Sequence, residues 1–294
     1  MSFLTALING LSLGSIYAII ALGYTMVYGI AKMLNFAHGD FIMVGCYIIF
    51  MFSSNMGLPP FLAVCVAVVL CTLLGITTER VAYRPLRNAA SPLAVLITAI
   101  GVSYFLENLA LLIFGADTKS FSSLISWSGL SFFDGGLQIQ GITIITILIS
   151  LAILFFLQLF IRKTREGQAM LAVSQDRGAA MLMGIDVNKT ITLTFAIGSA
   201  LAAIAGALLA SAYPSLTPYT GAMPGIKAFV AAVLGGIGSI PGAMIGGMTL
   251  GIIEILSRTY ISSQLSDAIV FGILVVVLIV RPTGILGKNI QEKV

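Results

Sequence analysis

Charge is scarce in this sequence. Asp, Glu, Lys and Arg supply 9% of its 294 residues. A soluble domain covers much of its surface with such side chains. A chain that is 59% hydrophobic, with mean hydropathy +1.07, has too few of them to do so. There is one histidine, His38, and one tryptophan, Trp127. The three cysteines, Cys46, Cys65 and Cys71, lack metal-ligand spacing and read as small core residues. No GxxxxGK[ST] loop occurs, so nothing here cradles ATP phosphates. The alternating apolar and polar pattern of an outer-membrane barrel is also missing, which leaves helices as the spanning elements. The N-terminal MSFLTALING carries no Lys or Arg ahead of its apolar run, which argues against a cleaved signal peptide. The net charge of +4 does not point to nucleic acid, because the basic residues gather in three segments between or after apolar runs.

What the chain does have is apolar runs approaching or exceeding the ~20 residues that span a bilayer. Spans are predicted near 3–30, 41–53, 61–76, 93–114, 139–161, 191–212 and 269–280. A glycine-broken segment lies near 225–257, either re-entrant or two short spans. The fold class is therefore all-α: a polytopic membrane helical bundle of about eight membrane segments, forming a single domain over 1–294. Gly10, Gly14 and Ala18, and again Gly198, Ala202, Gly206 and Ala210, recur every four residues and predict close helix contacts. The glycines at 235, 238, 242 and 246 can serve as a gate or as packing contacts, with Gly238, Gly242 and Gly246 on one face.

The three basic segments are Arg80–Arg87, 162–189 and 281–293, the last holding Lys288 and Lys293. Placed in the cytoplasm by the positive-inside bias, they put the N-terminus outside and the C-terminus inside. The connection 115–140, with Asp117, Lys119, Trp127 and Asp134, then lies outside.

The segment 162–189, RKTREGQAMLAVSQDRGAAMLMGIDVNK, is a polar island of eight charges, five of them basic. Its middle predicts one short amphipathic helix over 169–184 that stops at Gly184. Such a helix has lipid or a partner protein to hold. Asn35, His38 and Gly39 interrupt the apolar run after the first span. His38 with Asp40 could form a proton relay, or His38 could be a hydrogen-bonded residue at a helix break. Glu107, Lys227 and Glu254 fall in or near apolar runs, where unpaired charge is costly, so they line water, pair with one another, or snorkel.

Four blocks, GLSLGSIYAIIALGYTMVYGI, MLNFAHGDF, KAFVAAVLGGIGSIPGAMIGG and RPTGILG, together resemble the permease subunits of branched-chain amino acid ABC importers, the LivH type. The resemblance runs almost end to end. It implies a translocation pathway for leucine, isoleucine and valine in the bacterial inner membrane, and no enzymatic activity of the chain itself. It also implies a paralogous second permease, two ATP-binding subunits and an extracytoplasmic amino-acid-binding protein as partners, with no cofactor or metal. The cytoplasmic loop 162–189 becomes the coupling loop. Gly178, Ala179, Ala180 and Gly184 stand in the frame of the E-A-A-x3-G coupling motif, with Gly178 in place of the usual Glu and without the later Leu-Pro. Glu166 joins them as a coupling candidate. The implied pathway candidates are Asn35, His38, Gly39, Glu107, Gly235 and Gly238. A cation-coupled secondary transporter, resting on His38–Asp40 and the broken segments, is the competing reading.

Overall fold

In the computed structural model, residues 3–87, 92–120, 124, 127, 129–132 and 137–287 are described. Asp134, Lys288 and Lys293 lie outside the described residues. Eleven helices carry the described chain. They are α1 (Phe3–Ala31), α2 (His38–Phe50), α3 (Pro60–Thr78), α4 (Pro92–Phe114), α5 (Gly141–Lys163), α6 (Arg165–Gln175), α7 (Arg177–Leu182), α8 (Val187–Ala212), α9 (Ala222–Gly235), α10 (Ile240–Tyr260) and α11 (Ser266–Val280). Two short antiparallel ribbons supplement them. Lys119–Ser120 (β1) pairs with Ser215–Leu216 (β4), and Leu130–Phe132 (β2) pairs with Leu137–Ile139 (β3).

Among the described residues, six helical stretches are long and apolar enough to cross a membrane: Phe3–Ala31, Pro60–Leu86, Leu93–Phe114, Gly141–Lys163, Val187–Ala212 and Ile240–Tyr260. Ala222–Gly235 and Ser266–Val280 are shorter apolar helices. The polytopic all-α bundle expected from composition is what forms.

The chain divides into two compact units, 1–25 with 127–154 and 227–294, and 26–126 with 155–226. In the second unit α2 is the core. It is the most apolar-lined position available, with Phe41, Ile42, Met43, Cys46 and Ile49 all fully buried. It packs on α3 and α8, and those two pack on each other. Small residues make this possible. A Cβ at Gly206 would lie 2.8 Å from the Ile42 carbonyl oxygen, and Gly45 sits against Ala203. The four-residue seam of α8 is buried throughout, as its spacing predicts. Continuing α3, a π-helical turn (Glu79–Tyr83) and a 3₁₀ turn (Arg84–Leu86) carry the helix to its basic end. The outer face of α3 is apolar and exposed, with Val69, Leu73 and Val81 at 58%, 54% and 72% exposure. Cys65 is on that face too, and so corrects the expectation of a core cysteine, while Cys46 and Cys71 are buried. Lipid and protein core are equally apolar to such a residue, so composition alone does not separate them.

In the first unit the seam of α1 meets α10. A Cβ at Gly251 would come within 2.1 Å of the Gly14 backbone nitrogen, and one at Gly247 within 2.5 Å of Ala18. α9 and α10 form an antiparallel hairpin around the break at 236–239, with Gly235 against Gly242 and Gly246 against Ala231. The break is therefore a glycine turn joining two helices of unequal length rather than one straight helix. α10 has spanning length, whereas the 14 residues of α9 extend about 21 Å, less than the ~30 Å hydrocarbon core. Gly238 is in the connecting turn with φ +92°, not on the packed face with Gly242 and Gly246 as its spacing predicts. The C-terminal RPTGILG segment folds back onto this turn. Ile285 N–H donates to the Leu234 carbonyl (2.9 Å) and Leu286 N–H to that of Gly235 (3.0 Å), satisfying carbonyls that the end of α9 leaves open. Two of the four sequence blocks thus meet directly.

Candidate functional site: a polar helix break and a surface loop

Two places in the second unit, and one cluster in the first, carry chemistry. The first place is the break between α1 and α2. Asn35, His38 and Asp40 are 2%, 1% and 3% exposed. The Tyr83 hydroxyl donates to Asn35 Oδ1 at 2.7 Å. Asn35 Nδ2 is buried without a hydrogen-bond partner among the described residues. The His38 ring meets Phe41 edge-on, with centroids 6.3 Å apart. Ser103 of α4 lies beside the Asp40 carboxylate, and Glu107 stands one turn further along the same helix. Gly39, in the first turn of α2, has no room for a side chain: a Cβ would meet the Gly221 carbonyl oxygen at 2.7 Å. The segment 213–221 thus brings its backbone onto the start of α2. Four of the six pathway candidates, Asn35, His38, Gly39 and Glu107, are collected here. Gly235 and Gly238 belong to the other unit, where Gly235 is a packing contact and Gly238 a turn residue.

The second place is the loop 162–189. Instead of one helix over 169–184 it forms two, α6 and α7, parted at Asp176. The sequence carried the signal. Thr164, Asp176 and Asp186 each accept from a backbone N–H three residues on, Gly167 (3.1 Å), Ala179 (3.0 Å) and Lys189 (3.0 Å), and so start α6, α7 and α8. Gly184, at φ +81°, ends α7, with Ile185 N–H returning to the Ala180 carbonyl at 3.0 Å. Arg177 donates to the Ala31 carbonyl at the end of α1, which ties α7 to the membrane helices. Glu166 pairs with Lys189 at 3.5 Å and ties α6 to α8.

Within the motif frame the residues separate. Ala180 is 3% exposed and faces its own chain. Gly178, Ala179 and Gly184 are exposed. Met181, Leu182 and Met183 are 59%, 90% and 82% exposed. A face this apolar on a polar loop suits a protein partner.

At the same end of the unit Glu79, fully buried, is held by Arg84, Arg87 and the Thr192 hydroxyl (2.7 Å). Arg84 also donates to Thr192 Oγ1 at 2.8 Å, and Arg87 to Asn188. Partial burial lowers the Arg87 guanidinium from its ordinary value, while Glu79 opposes that; an arginine stays charged through such a shift. The network joins the end of α3 to the start of α8.

In the first unit Glu254 accepts from Lys227 Nζ (2.7 Å), from Tyr17 OH (2.9 Å) and from Arg258. Lys227 also pairs with Asp267 at 2.7 Å. Lys227 and Glu254 are 3% and 0% exposed, so both are paired and neither snorkels. Arg258 stands one turn after Glu254 on α10, a spacing the sequence shows, whereas Tyr17 of α1 and Asp267 of α11 come from further helices that no sequence spacing announces.

The family model for "Branched-chain amino acid transport system / permease component" matches residues 6–278. Over 99% of this chain and 98% of theirs, it is 45% identical to the high-affinity branched-chain amino acid transport system permease protein LivH of Salmonella typhimurium and 46% identical to that of Escherichia coli K12. Over the same shares it is 44% identical to the permease protein BraD of Pseudomonas aeruginosa. The chain belongs to the branched-chain amino acid transport system permease family.

Proposed function

We propose that this chain is the membrane-spanning permease subunit of an ATP-driven importer for leucine, isoleucine and valine in the bacterial inner membrane. The observation that carries the reading is family membership over nearly the whole chain, at 44 to 46% identity to named branched-chain amino acid permeases. The chain acts as one transmembrane permease domain. ATP is hydrolysed by two separate ATP-binding subunits, an extracytoplasmic binding protein delivers the amino acid, and a paralogous permease completes the pathway.

The N-terminus and 115–140 lie outside, and Arg80–Arg87, 162–189 and the C-terminus lie inside. Contacts at opposite ends of the second unit support this. Glu79, Arg84 and Arg87 meet Asn188 and Thr192, and Arg177 meets the end of α1, all at one end. At the other, Lys119 pairs with Leu216. The pathway passes the break at Asn35, His38 and Gly39, with Glu107 nearby, where an unpartnered amide can bond a passing polar group.

Loop 162–189 is the coupling loop. Ala179, Leu182 and Met183 form its contact with the ATPase, with Gly178 and Gly184 at the margins. Ala180 and Glu166 hold the loop in shape. Copurification tests this assignment. Leu182→Glu places a carboxylate at the proposed contact and should release the ATP-binding subunits while the chain keeps its membrane abundance. Full recovery of those subunits with the variant would remove the loop from the interface.

A further inference from the structure

A cavity of about 550 Å³ opens at the end of α3 beside the start of α8. Its size exceeds what a single small ion needs and matches a ligand of headgroup size. The apolar side comprises Ile76 and Leu193. Its cations are Arg80, Arg84 and Lys189, set against the carboxylates of Glu166 and Asp186. Most of these charges are already engaged. Glu79 holds Arg84, Glu166 holds Lys189, and Asp186 accepts from the first turn of α8. Arg80 makes no ion pair among the described residues, and because Arg84 shares Glu79 with Arg87 the cluster sets four cations, Arg80, Arg84, Arg87 and Lys189, against three carboxylates, Glu79, Glu166 and Asp186, an excess of one positive charge.

The position of Arg80 tells what covers it. Leu73, Ile76 and Arg80 follow one another at three- and four-residue spacing, one stripe of the helix. That stripe continues the exposed apolar face of α3, with Val69, Leu73 and Val81 open to the surroundings. In a spanning helix such a face meets acyl chains. The cavity is therefore where an apolar, lipid-covered surface ends in a cation without a partner.

We propose that this cavity binds the headgroup of an anionic phospholipid. Its phosphodiester lies on Arg80 with support from Arg84, and its acyl chains run along Ile76 and Leu73. A single phosphodiester charge balances the excess cation, and basic pockets between membrane helices on the cytoplasmic side take such headgroups. The proposal rests on the cytoplasmic placement of Arg80–Arg87 proposed above, not on which amino acid the chain carries.

The test uses native mass spectrometry of the full chain released from nanodiscs made of equal parts phosphatidylglycerol and phosphatidylcholine. The wild-type chain should retain phosphatidylglycerol over phosphatidylcholine. Arg80→Gln should lower the retained phosphatidylglycerol about fivefold and leave phosphatidylcholine as it was. Arg162→Gln removes an exposed cation of the same loop region away from the cavity and should change nothing. Equal retention of the two lipids by the wild-type chain would overturn the proposal, and that arm needs no variant to fold. So would an Arg80→Gln chain that keeps its phosphatidylglycerol, or an equal loss in Arg162→Gln, which would indicate diffuse attraction to a basic surface. Displacement of the lipid by added ATP-binding subunits would make the cavity a protein contact and would also end the proposal.

Discussion

Two buried polar clusters, one in each compact unit, are completed to different degrees. In the first, Lys227, Glu254, Arg258, Asp267 and Tyr17 form a cluster in which every charge has a partner. In the second, the break before α2 gathers Asn35, His38 and Asp40 with one amide, Asn35 Nδ2, left without one among the described residues. A closed network fixes helices to each other and has nothing left to offer a solute. An open one is costly to maintain unless something completes it, whether water or cargo. On the proposed reading the closed cluster holds the fold and the open one serves transport.

The largest effect should come from opening the closed network. Glu254→Leu leaves Lys227 with Asp267 alone and strands Arg258, which should cost about 3–5 kcal/mol and empty the membrane of folded chain. Adding Lys227→Met should restore much of the loss, because the buried pair is then replaced by apolar groups and the remaining Arg258 and Asp267 reach solvent. Abundance and thermal midpoint in detergent read both. A double variant as poor as the single would mean that the cluster binds a ligand rather than holding helices.

Next comes the small-residue core of the second unit. Gly206→Leu cannot be accommodated, since even a Cβ meets the Ile42 backbone at 2.8 Å. The variant should insert but fail to assemble, seen as normal membrane signal with no recovered complex. Normal complex yield would show that α8 tolerates displacement from α2.

Asn35→Ala should be milder for stability, about 1–3 kcal/mol for the lost Tyr83 bond, but severe for transport. Leucine uptake should fall about tenfold, the effect of 1.4 kcal/mol on a binding or transition step. Uptake reduced only in proportion to abundance would make the open network structural, and the contrast between the units would vanish.

The smallest effect on folding should be at the loop surface. Leu182→Glu is expected to leave the unfolding free energy within about 0.5 kcal/mol of wild type, whereas Ala180→Glu, at a buried position, should unseat α7 itself. The two variants together separate loss of partner contact from loss of loop structure.

Sequence legibility followed the range of the interaction. The seams at Gly10–Gly14–Ala18 and Gly198–Gly206 were readable because a four-residue repeat of small side chains is local and means close packing wherever it occurs. The break near Gly235–Gly242 was readable for the same reason, though the docking of RPTGILG onto it was not. The direction of Ala180 was hidden, because a six-residue helix shows an apolar face without saying whether its own chain or a partner covers it. Asp176 was overlooked as a helix start, although an Asp three residues before Ala179 is a capping signal. Lys227 with Glu254, 27 residues apart, is a pairing that the cost of unpaired charge in an apolar run suggested, whereas Tyr83 with Asn35, 48 apart, is a pair that only the fold assembles.

The central claim is that transport runs on ATP through loop 162–189. Leucine uptake into proteoliposomes holding the complete complex tests it most directly, with ATP and an imposed proton or sodium gradient supplied separately. Uptake should require ATP and the binding protein, ignore the cation gradients, and disappear in Leu182→Glu. Uptake that follows a cation gradient without ATP, or that persists undiminished in Leu182→Glu, would contradict the account.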